Sequence, residues 1–208
     1  MELIAHRGLW KSVLDQNSLA ALARAFQNGM GVETDVRHFR GELFLSHDPI
    51  EKQNGLVKFG DLVELGMRYP KQLIFLNIKE DGLQPFFDPY SSLLSKCSIV
   101  FFDMSVPELV RYSKLFPPEN LCTRFSDAEP VPSAVERCDW LWVDGFERDV
   151  DLQNLTSNEA LSTRNLAFVS PQIHGRNASH FLKSIQDNFG DCRQKIALCA
   201  DFPENKND

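Results

Sequence analysis

Long apolar segments are missing from this chain of 208 residues. No stretch approaches the roughly 18 consecutive apolar residues that a membrane-spanning helix requires, so we expect no stable insertion into a membrane. The first residues also lack a basic segment followed by an apolar one, which is the pattern of a secretory signal. We therefore expect a cytoplasmic protein.

An excess of basic residues is also missing. The chain has 22 Lys and Arg residues against 29 Asp and Glu residues, a formal net charge of -7 at pH 7. Proteins that bind nucleic acid along a broad face usually carry a stripe of positive charge. The composition therefore argues against a nucleic-acid partner, and it remains compatible with a small basic pocket inside an acidic shell.

Cysteine is scarce and irregularly spaced. The five cysteines form no Cys-x-x-Cys pair, and their number is odd. This pattern fits neither a zinc site nor a disulfide framework, so we predict buried, reduced thiols. Internal repeats, low-complexity blocks and linkers are absent too. We predict a single domain over residues 1–208.

What the chain does contain is a regular alternation of short apolar runs and helical patterns. Nearly continuous apolar runs such as QLIFLNIK are typical of parallel strands covered by helices. Eight strands, each but the last followed by a helix, predict an α/β fold of the (β/α)8 TIM-barrel type, with an open doubly wound sheet as the alternative. The strands are predicted at 2–6, 31–36, 72–79 and 98–105 and as runs ending near 125, 144, 170 and 201, and the helices at 19–29, 59–69, 84–95, 106–115, 131–138, 153–163 and 178–189.

The predicted strand GVETDV carries two acidic residues among apolar ones. Side chains alternate along a strand, so Glu33 and Asp35 project to the same face. Inside a closed sheet the two charges repel each other and are costly to desolvate unless a cation lies between them. We predict that both are ligands of a divalent metal. The alternative is a salt-bridged barrel end in which they pair with Arg7, Arg37 or Lys79.

Two histidines follow extended segments close to this acidic strand. His6 ends the first strand in IAHRG, and His47 ends the extended run after the acidic strand. In a barrel the C-terminal ends of the strands build the active site. We predict that the two histidines act as acid and base on a metal-bound substrate. A structural histidine is the alternative for His6 taken alone.

The third predicted barrel strand repeats the two-residue spacing with Asn77 and Lys79. Asn77 has an amide oxygen that can bind a hard cation. Lys79 could hold a phosphate oxygen or neutralise Asp35. Asp144 and Asp201 have weaker claims, because single acids at strand ends often cap helices or pair with neighbouring bases, and Asn17 is predicted chiefly as a helix cap or loop brace. The remaining polar residues at strand ends are Asp103, Arg124 and Ser170.

The segment SPQIHGR follows the seventh barrel strand, where barrels often bind phosphate. His174 and Arg176 flank a glycine in this segment and could hold an anionic head group. We predict them as substrate contacts. An ordinary polar loop explains the segment equally well.

Several of these motifs occur in the order and approximate spacing of a known family. IAHRG, the QNS before the first helix, GVETDV and the later HD resemble the His-Arg-Gly, Glu-Asn-Ser, Glu-x-Asp and His-Asp pattern of the glycerophosphodiester phosphodiesterase family. The segment ADFPEN is similar to the family's last strand, which ends in Asp-x-Pro. The middle of the chain is compatible with the family mainly through its βα order.

The resemblance implies a phosphodiesterase-type (β/α)8 barrel that uses a divalent cation, Mg²⁺ or Ca²⁺. Its substrate would be a small-molecule glycerophosphodiester or a related phosphodiester, hydrolysed to an alcohol and a phosphomonoester. By resemblance, the acid/base pair is His6 and His47, the metal ligands are Glu33, Asp35 and Asn77, and the phosphate contacts are Arg7 and Lys79.

Three features depart from the family pattern. Asn77 stands where the family has a third acidic ligand, so the predicted metal site loses one negative charge. Gln16 stands where the family has Glu. The connection over residues 48–58 is too short for the small inserted subdomain of many relatives. We expect a more open mouth, or one covered by another subunit of a homo-oligomer.

Two rival functions remain open. A non-catalytic barrel could bind a sugar phosphate or a protein partner, with its metal site degraded at Asn77, and would show no metal-dependent turnover. A Schiff-base aldolase could use Lys79 as its amine, which would leave the two acids and the two histidines without a role.

Overall fold

The computed structural model describes residues 1–190 and 192–202 and shows a closed barrel of parallel strands. Eight strands form the wall, and two shorter strands form an antiparallel extension. The wall strands are β1 (Glu2–His6), β2 (Gly31–Phe39), β5 (Leu73–Ile78), β6 (Ser98–Phe102), β7 (Cys122–Ser126), β8 (Trp140–Asp144), β9 (Asn165–Val169) and β10 (Ile196–Ala200), and the extension consists of β3 (Glu42–Leu45) and β4 (Val57–Lys58).

The wall closes on itself. Parallel pairing runs from β7 through β8, β9, β10, β1, β2 and β5 to β6. A single parallel bridge between Phe101 and Leu121 joins β6 to β7 and completes the circle. In this order β2 lies opposite β8, and β1 lies opposite β7. The predicted (β/α)8 barrel is confirmed, and the open doubly wound sheet is excluded.

Helices cover the outside of the barrel. Amphipathic segments form α1, α2 and α8, each of which buries one apolar stripe against the strands. The Ser18 hydroxyl caps α1 by accepting a hydrogen bond from the Ala21 N–H. The helices are α1 (Leu19–Gln27), α2 (Phe59–Arg68), α3 (Gln84–Phe87), α4 (Ser91–Leu94), α5 (Val106–Tyr112), α6 (Leu152–Ser157), α7 (Glu159–Ser162) and α8 (Phe181–Phe189).

The interior of the barrel is apolar along most of its length. Inward-facing side chains from the wall strands form one buried cluster, whose largest members are Phe75, Phe102, Trp140 and Trp142. Phe75 packs edge-on against Trp140, with ring centroids 5.2 Å apart. Polar residues take over the inward positions only near the C-terminal ends of the strands. The packed lower layers therefore form the floor of a cavity at that end.

The segments 131–138 and 84–95 differ from the helices predicted there. Residues 131–138 form only a short 3₁₀ turn at Val135–Arg137 instead of a helix, and prolines at 130 and 132 before it account for this. The segment 84–95 is broken into α3, a 3₁₀ turn and α4. The end of the ADFPEN motif, residues 203–205, lies outside the described residues.

The acidic strand also continues beyond its predicted end at residue 36. β2 extends to Phe39 and pairs antiparallel with β3, which pairs with β4. Residues 46–56 connect β3 to β4 without a helix or strand, so no inserted subdomain occurs there.

The cysteines are unpaired, as predicted. Cys122, Cys138 and Cys199 are buried, whereas Cys97 and Cys192 are only partly buried. Among the described residues, none of the helices has the length and apolar character needed to cross a membrane.

Candidate functional site

A cavity of about 560 Å³ opens at the end of the barrel where the wall strands finish. All wall strands run in the same direction, so their C-terminal residues meet at this edge. Two groups of polar side chains line opposite sides of the cavity. The first wall consists of His6, Arg7, Glu33, Asp35, His47, Asn77 and Lys79, and the second wall consists of Asp103, Arg124, Asp144 and His174.

Asp35, in the first wall, is compensated by two cations. Its Oδ2 lies 3.4 Å from Arg7 Nε, and its Oδ1 lies 3.4 Å from Lys79 Nζ. Asn17 Nδ2 donates to Asp35 Oδ2 at 2.9 Å, and Thr34 Oγ1 donates to Asn17 Oδ1 at 2.7 Å. Two cationic side chains and one amide N–H therefore surround this carboxylate. For this residue, the structure contains the salt-bridged arrangement that the sequence left open as an alternative to a metal.

Glu33, by contrast, has little compensation. Only 2% of this residue is exposed, and its Oε2 has no hydrogen-bond partner among the described residues. The same oxygen lies 3.8 Å from His6 Nε2. Burial, together with the negative charge of Asp35, raises the pKa of Glu33 to about 7. A cation next to Oε2 would therefore stabilise the charged form of Glu33.

His6 is oriented by an acid from the far end of the sequence. Asp201 Oδ1 lies 2.8 Å from His6 Nδ1, which keeps a proton on that nitrogen and leaves Nε2 towards Glu33. Burial lowers the pKa of His6, but the hydrogen bond with Asp201 and the charge of Glu33 more than offset it, so the pKa is raised above its ordinary value. His6 is thus prepared to exchange a proton through Nε2.

His47 lies at the rim of the same cavity. Its side chain is 44% exposed, and its Nδ1 lies 2.8 Å from Asp48 Oδ1. Arg37 lies on β2, and its Nε donates to the His47 carbonyl oxygen at 3.0 Å. This hydrogen bond supports the loop that follows β3. The Arg37 guanidinium also contacts Glu80 at 3.5 Å, and no contact joins it to the two acids of β2 within the described residues. The first wall therefore has one histidine with a side chain that is only 16% exposed, His6, and one at the rim, His47.

Three oxygen-bearing side chains lie on the neighbouring strands β2 and β5, where Asp35 is in register with Asn77. Asn77 Oδ1 is buried and, like Glu33 Oε2, has no hydrogen-bond partner in the part of the chain that the structure describes. Carboxylate and amide oxygens suit Mg²⁺ and Ca²⁺. Residues 1–190 and 192–202 contain no metal-binding group of three or more His, Cys, Asp or Glu side chains. The two carboxylates and the neutral amide thus fit one hard cation, with one negative charge fewer than three carboxylates would provide.

In the second wall, Asp103 and Arg124 form an ion pair across the β6–β7 seam. Arg124 Nη1 also lies 3.3 Å from Glu129 Oε2, and its guanidinium lies over the Phe146 ring at 5.5 Å from the centroid. The charge of Arg124 is therefore satisfied by protein groups, and its planar side chain is fixed in position.

A second pair in this wall joins His174 to Asp144. His174 Nε2 lies 2.7 Å from Asp144 Oδ1, and the imidazole packs edge-on against Phe146. Arg176, the other residue predicted from the SPQIHGR segment, is not part of the cavity lining. Its guanidinium donates to the Gly145 carbonyl oxygen at 2.9 Å and pairs with Asp149. The structure therefore brings His174 to the site and leaves Arg176 outside it.

Backbone strain is concentrated at this cavity. Arg7 (φ 57°), Asn17 (φ 57°) and Asp103 (φ 68°) adopt left-handed conformations that are uncommon for residues with a side chain. Arg7 and Asp103 line the cavity, and Asn17 supports Asp35. Such strain persists where the surrounding structure fixes it, often at functional sites.

Sequence reasoning gave too little weight to several residues of the site. Asn17 was predicted chiefly as a cap or loop brace, but it binds Asp35. Gln16 accepts a hydrogen bond from Arg7 Nη1 at 3.2 Å. Asp201 binds His6 across the closure of the barrel, and this partnership between distant residues had no local signal.

No family model matches this chain, and no curated protein matches it by sequence. Solved structures do match it. A predicted glycerophosphodiester phosphodiesterase from Galdieria sulphuraria has a TM-score of 0.68 at 15% identity, covering 98% of this chain and 94% of its own. A glycerophosphodiester phosphodiesterase from Parabacteroides distasonis has a TM-score of 0.67 at 16% identity, with coverages of 98% and 93%.

A Ca²⁺-dependent phosphatidylinositol-specific phospholipase C from Streptomyces antibioticus is similar too, with a TM-score of 0.56 at 10% identity and coverages of 97% and 93%. At such low identities the similarity is one of fold, and one barrel fold supports many reactions. The chain therefore has, over almost its whole length, the fold of the glycerophosphodiester phosphodiesterases.

Proposed function

We propose that this protein is a metal-dependent phosphodiesterase that hydrolyses a glycerophosphodiester or a related small phosphodiester. The observation that carries the proposal is that one cavity gathers two histidines, two acids, an amide and two cations at its first wall. This set offers proton transfer, cation binding and phosphate binding together. The fold of phosphodiesterases supports the same reaction class.

The two histidines would move the protons of the reaction. One imidazole would accept a proton from the attacking water or substrate hydroxyl, and the other would donate a proton to the leaving alcohol. Asp201 holds the proton of His6 on Nδ1, so that Nε2 is the nitrogen that exchanges with substrate. His47, at the rim, would serve the more exposed side of the phosphate.

Cationic groups would bind the phosphate. Arg7 and Lys79 both contact Asp35 at 3.4 Å, which aligns them at the first wall beside the histidines. Glu33, Asp35 and Asn77 would hold Mg²⁺ or Ca²⁺ through their oxygens. A bound cation would neutralise charge that develops on the phosphate oxygens in the transition state.

The test is hydrolysis of bis(4-nitrophenyl) phosphate and of glycerophosphoethanolamine, measured with Mg²⁺, Ca²⁺ or Mn²⁺ and after chelation. We expect activity that requires a metal and that falls by at least about a hundredfold in Glu33→Ala. The matched control is Glu136→Ala, because Glu136 has a 68% exposed side chain at the opposite end of the barrel.

Metal-independent or absent turnover on both substrates would contradict the proposal. With no cation binding by calorimetry as well, the second candidate would be a non-catalytic barrel that binds a sugar phosphate or a protein. Its supporting observation is that Arg7 and Lys79 already compensate Asp35 without a metal. The Schiff-base reaction is disfavoured, since an ammonium held by a buried carboxylate is not the neutral amine that attacks a carbonyl.

A further inference from the structure

The side chains of the second wall are held in place by an ion pair between Asp103 and Arg124 and by a contact between Asp144 and His174. The proposed proton transfer and cation binding do not use them. The second wall lies across the cavity from the first wall, because β8 is opposite β2 and β7 is opposite β1 in the closed barrel. A phosphodiester bound at the first wall would therefore project one of its two alcohol groups towards Arg124 and Asp144.

Asp144 is buried, with 6% of the residue exposed, yet it lines the cavity. Its Oδ1 is bonded to His174, and within the described residues Oδ2 makes no hydrogen bond. Since Asp144 lines the cavity, Oδ2 is open to a ligand there and can accept a hydrogen bond from it. A hydroxyl group of a ligand would supply the missing donor.

Asp103 and Arg124 offer a second polar pair next to this oxygen. The positive φ of Asp103, 68°, shows that the backbone is held in an uncommon conformation where this carboxylate meets Arg124 at the cavity edge. A guanidinium is a planar group of several N–H donors, and a carboxylate has several acceptor sites. Vicinal hydroxyls, which both donate and accept, match such a pair.

Two other ligand classes fit the second wall less well. A second anionic group would need a cation, but Arg124 is already compensated by Asp103 and Glu129. A quaternary ammonium would need an open aromatic face. Phe146, the half-buried aromatic of this wall, is covered by Arg124 and by the edge of His174.

The floor between the walls is apolar and broad. Phe102 and Trp142 stack with ring centroids 4.2 Å apart, and Val169 and Ile173 extend the same surface. Such a floor suits the C–H face of a ring whose hydroxyls point outwards to polar walls.

We infer that the second wall is a specificity site for a ring-shaped polyhydroxy alcohol, such as a sugar, carried on one side of the phosphodiester. The inference rests on the proposed phosphodiesterase function. In it, Asp144 and the Asp103–Arg124 pair bind ring hydroxyls, His174 positions Asp144, and the floor contacts the ring face.

The test compares two substrates of matched shape, the 4-nitrophenyl phosphodiester of methyl glucoside at its 6-position and cyclohexylmethyl 4-nitrophenyl phosphate. Both have the same leaving group and a six-membered ring, but only the first has hydroxyls. We expect kcat/KM to favour the sugar diester by about a hundredfold or more, because a site built to bind hydroxyls rejects an analogue that lacks them.

The variants are Asp144→Asn and Arg124→Gln, each expected to lower the sugar preference by about tenfold or more, mainly through KM. Asp139→Asn is the control. It is the same substitution at the other end of β8, where Asp139 pairs with Arg164, and it should keep the full preference. Testing two variants guards against a failure of one to fold. An equal rate on both diesters, or an unchanged preference in both variants, would overturn the inference.

A failure of the proposed function is distinguishable from a failure of this inference. If the wild-type protein hydrolyses neither diester, calorimetry with methyl glucoside 6-phosphate and cyclohexylmethyl phosphate tests the second wall by binding alone. Tighter binding of the sugar phosphate, lost in Asp144→Asn, would support the site. Equal affinity for the two, or no binding of either, would overturn it.

Discussion

The two walls of the cavity carry similar residue types but differ in how their charges are compensated. In the second wall each acid has an ionic partner, Asp144 in His174 and Asp103 in Arg124, although Asp144 Oδ2 accepts no hydrogen bond within the described residues. In the first wall Glu33 Oε2 and Asn77 Oδ1 are buried without hydrogen-bond partners among the described residues. Unpaired buried oxygens are unfavourable unless a ligand completes them. In our proposal, cation binding and reaction therefore belong to the first wall, and recognition belongs to the second.

Among the tests of this comparison, the largest change in activity is expected for a variant of His6. His6→Ala removes proton transfer at Nε2 and should lower kcat about 10²- to 10⁴-fold, with a small change in KM. Steady-state kinetics on bis(4-nitrophenyl) phosphate measure both constants. Second-wall variants should instead change KM for the polyol substrate. A change in kcat would therefore identify a first-wall variant, and a change in KM would identify a second-wall variant.

His47→Ala is the companion variant and should fall in the same range. Melting curves of both proteins verify that the fold is kept. Rates within about threefold of wild type for either variant would remove that histidine from the acid/base pair.

The next prediction concerns the free energy of unfolding and compares a buried acid with an exposed one. Asp35→Ala leaves Arg7 and Lys79 without their shared carboxylate and should cost about 3 kcal/mol of the free energy of unfolding. Urea denaturation measures it. Asp139→Ala, which removes an acid with a 44% exposed side chain paired to Arg164, should cost less than about 1 kcal/mol. Similar losses in the two variants would contradict the buried network.

The smallest effect, and the one most specific to cation binding, is expected at Glu33. Its pKa is raised from 4.5 to about 7, so the folded, metal-free protein loses stability as the pH rises between these two values, and the loss is complete above pH 7. Glu33→Gln keeps the shape and removes the charge. In a chelator at pH 8 the variant should therefore be more stable than the wild type, and the difference should shrink as the pH falls towards 4.5.

Adding Mg²⁺ or Ca²⁺ should then raise the melting temperature of the wild type and leave Glu33→Gln unchanged, because a cation that binds only the folded state stabilises it. Thermal melts with and without the cation give both comparisons. A variant less stable than the wild type in chelator, or one that still responds to the cation, would break the distinction between the walls.

Much of this organisation was predictable from local patterns. The alternation of apolar runs and helical spacing predicts the barrel, and the two-residue spacing of Glu33 and Asp35 places both acids on the inner face, as the structure shows. His6 and Lys79 line the cavity because the ends of the wall strands meet at one edge, whereas His47 reaches it because the antiparallel strand β3 runs back towards the barrel. Arg176 lies outside the cavity lining, because the sequence of a loop does not specify which way its side chains turn.

Partnerships between distant residues were beyond the sequence. Asp201 meets His6 because β10 pairs with β1, and Arg124 meets Asp103 because β6 and β7 close the barrel. Residue order and periodicity by themselves determined the eight wall strands and the face on which their polar side chains lie, since these depend on local backbone geometry. The tertiary structure alone decided which charges are compensated and which oxygens are left for a ligand, because compensation depends on contacts between residues that are far apart in the chain.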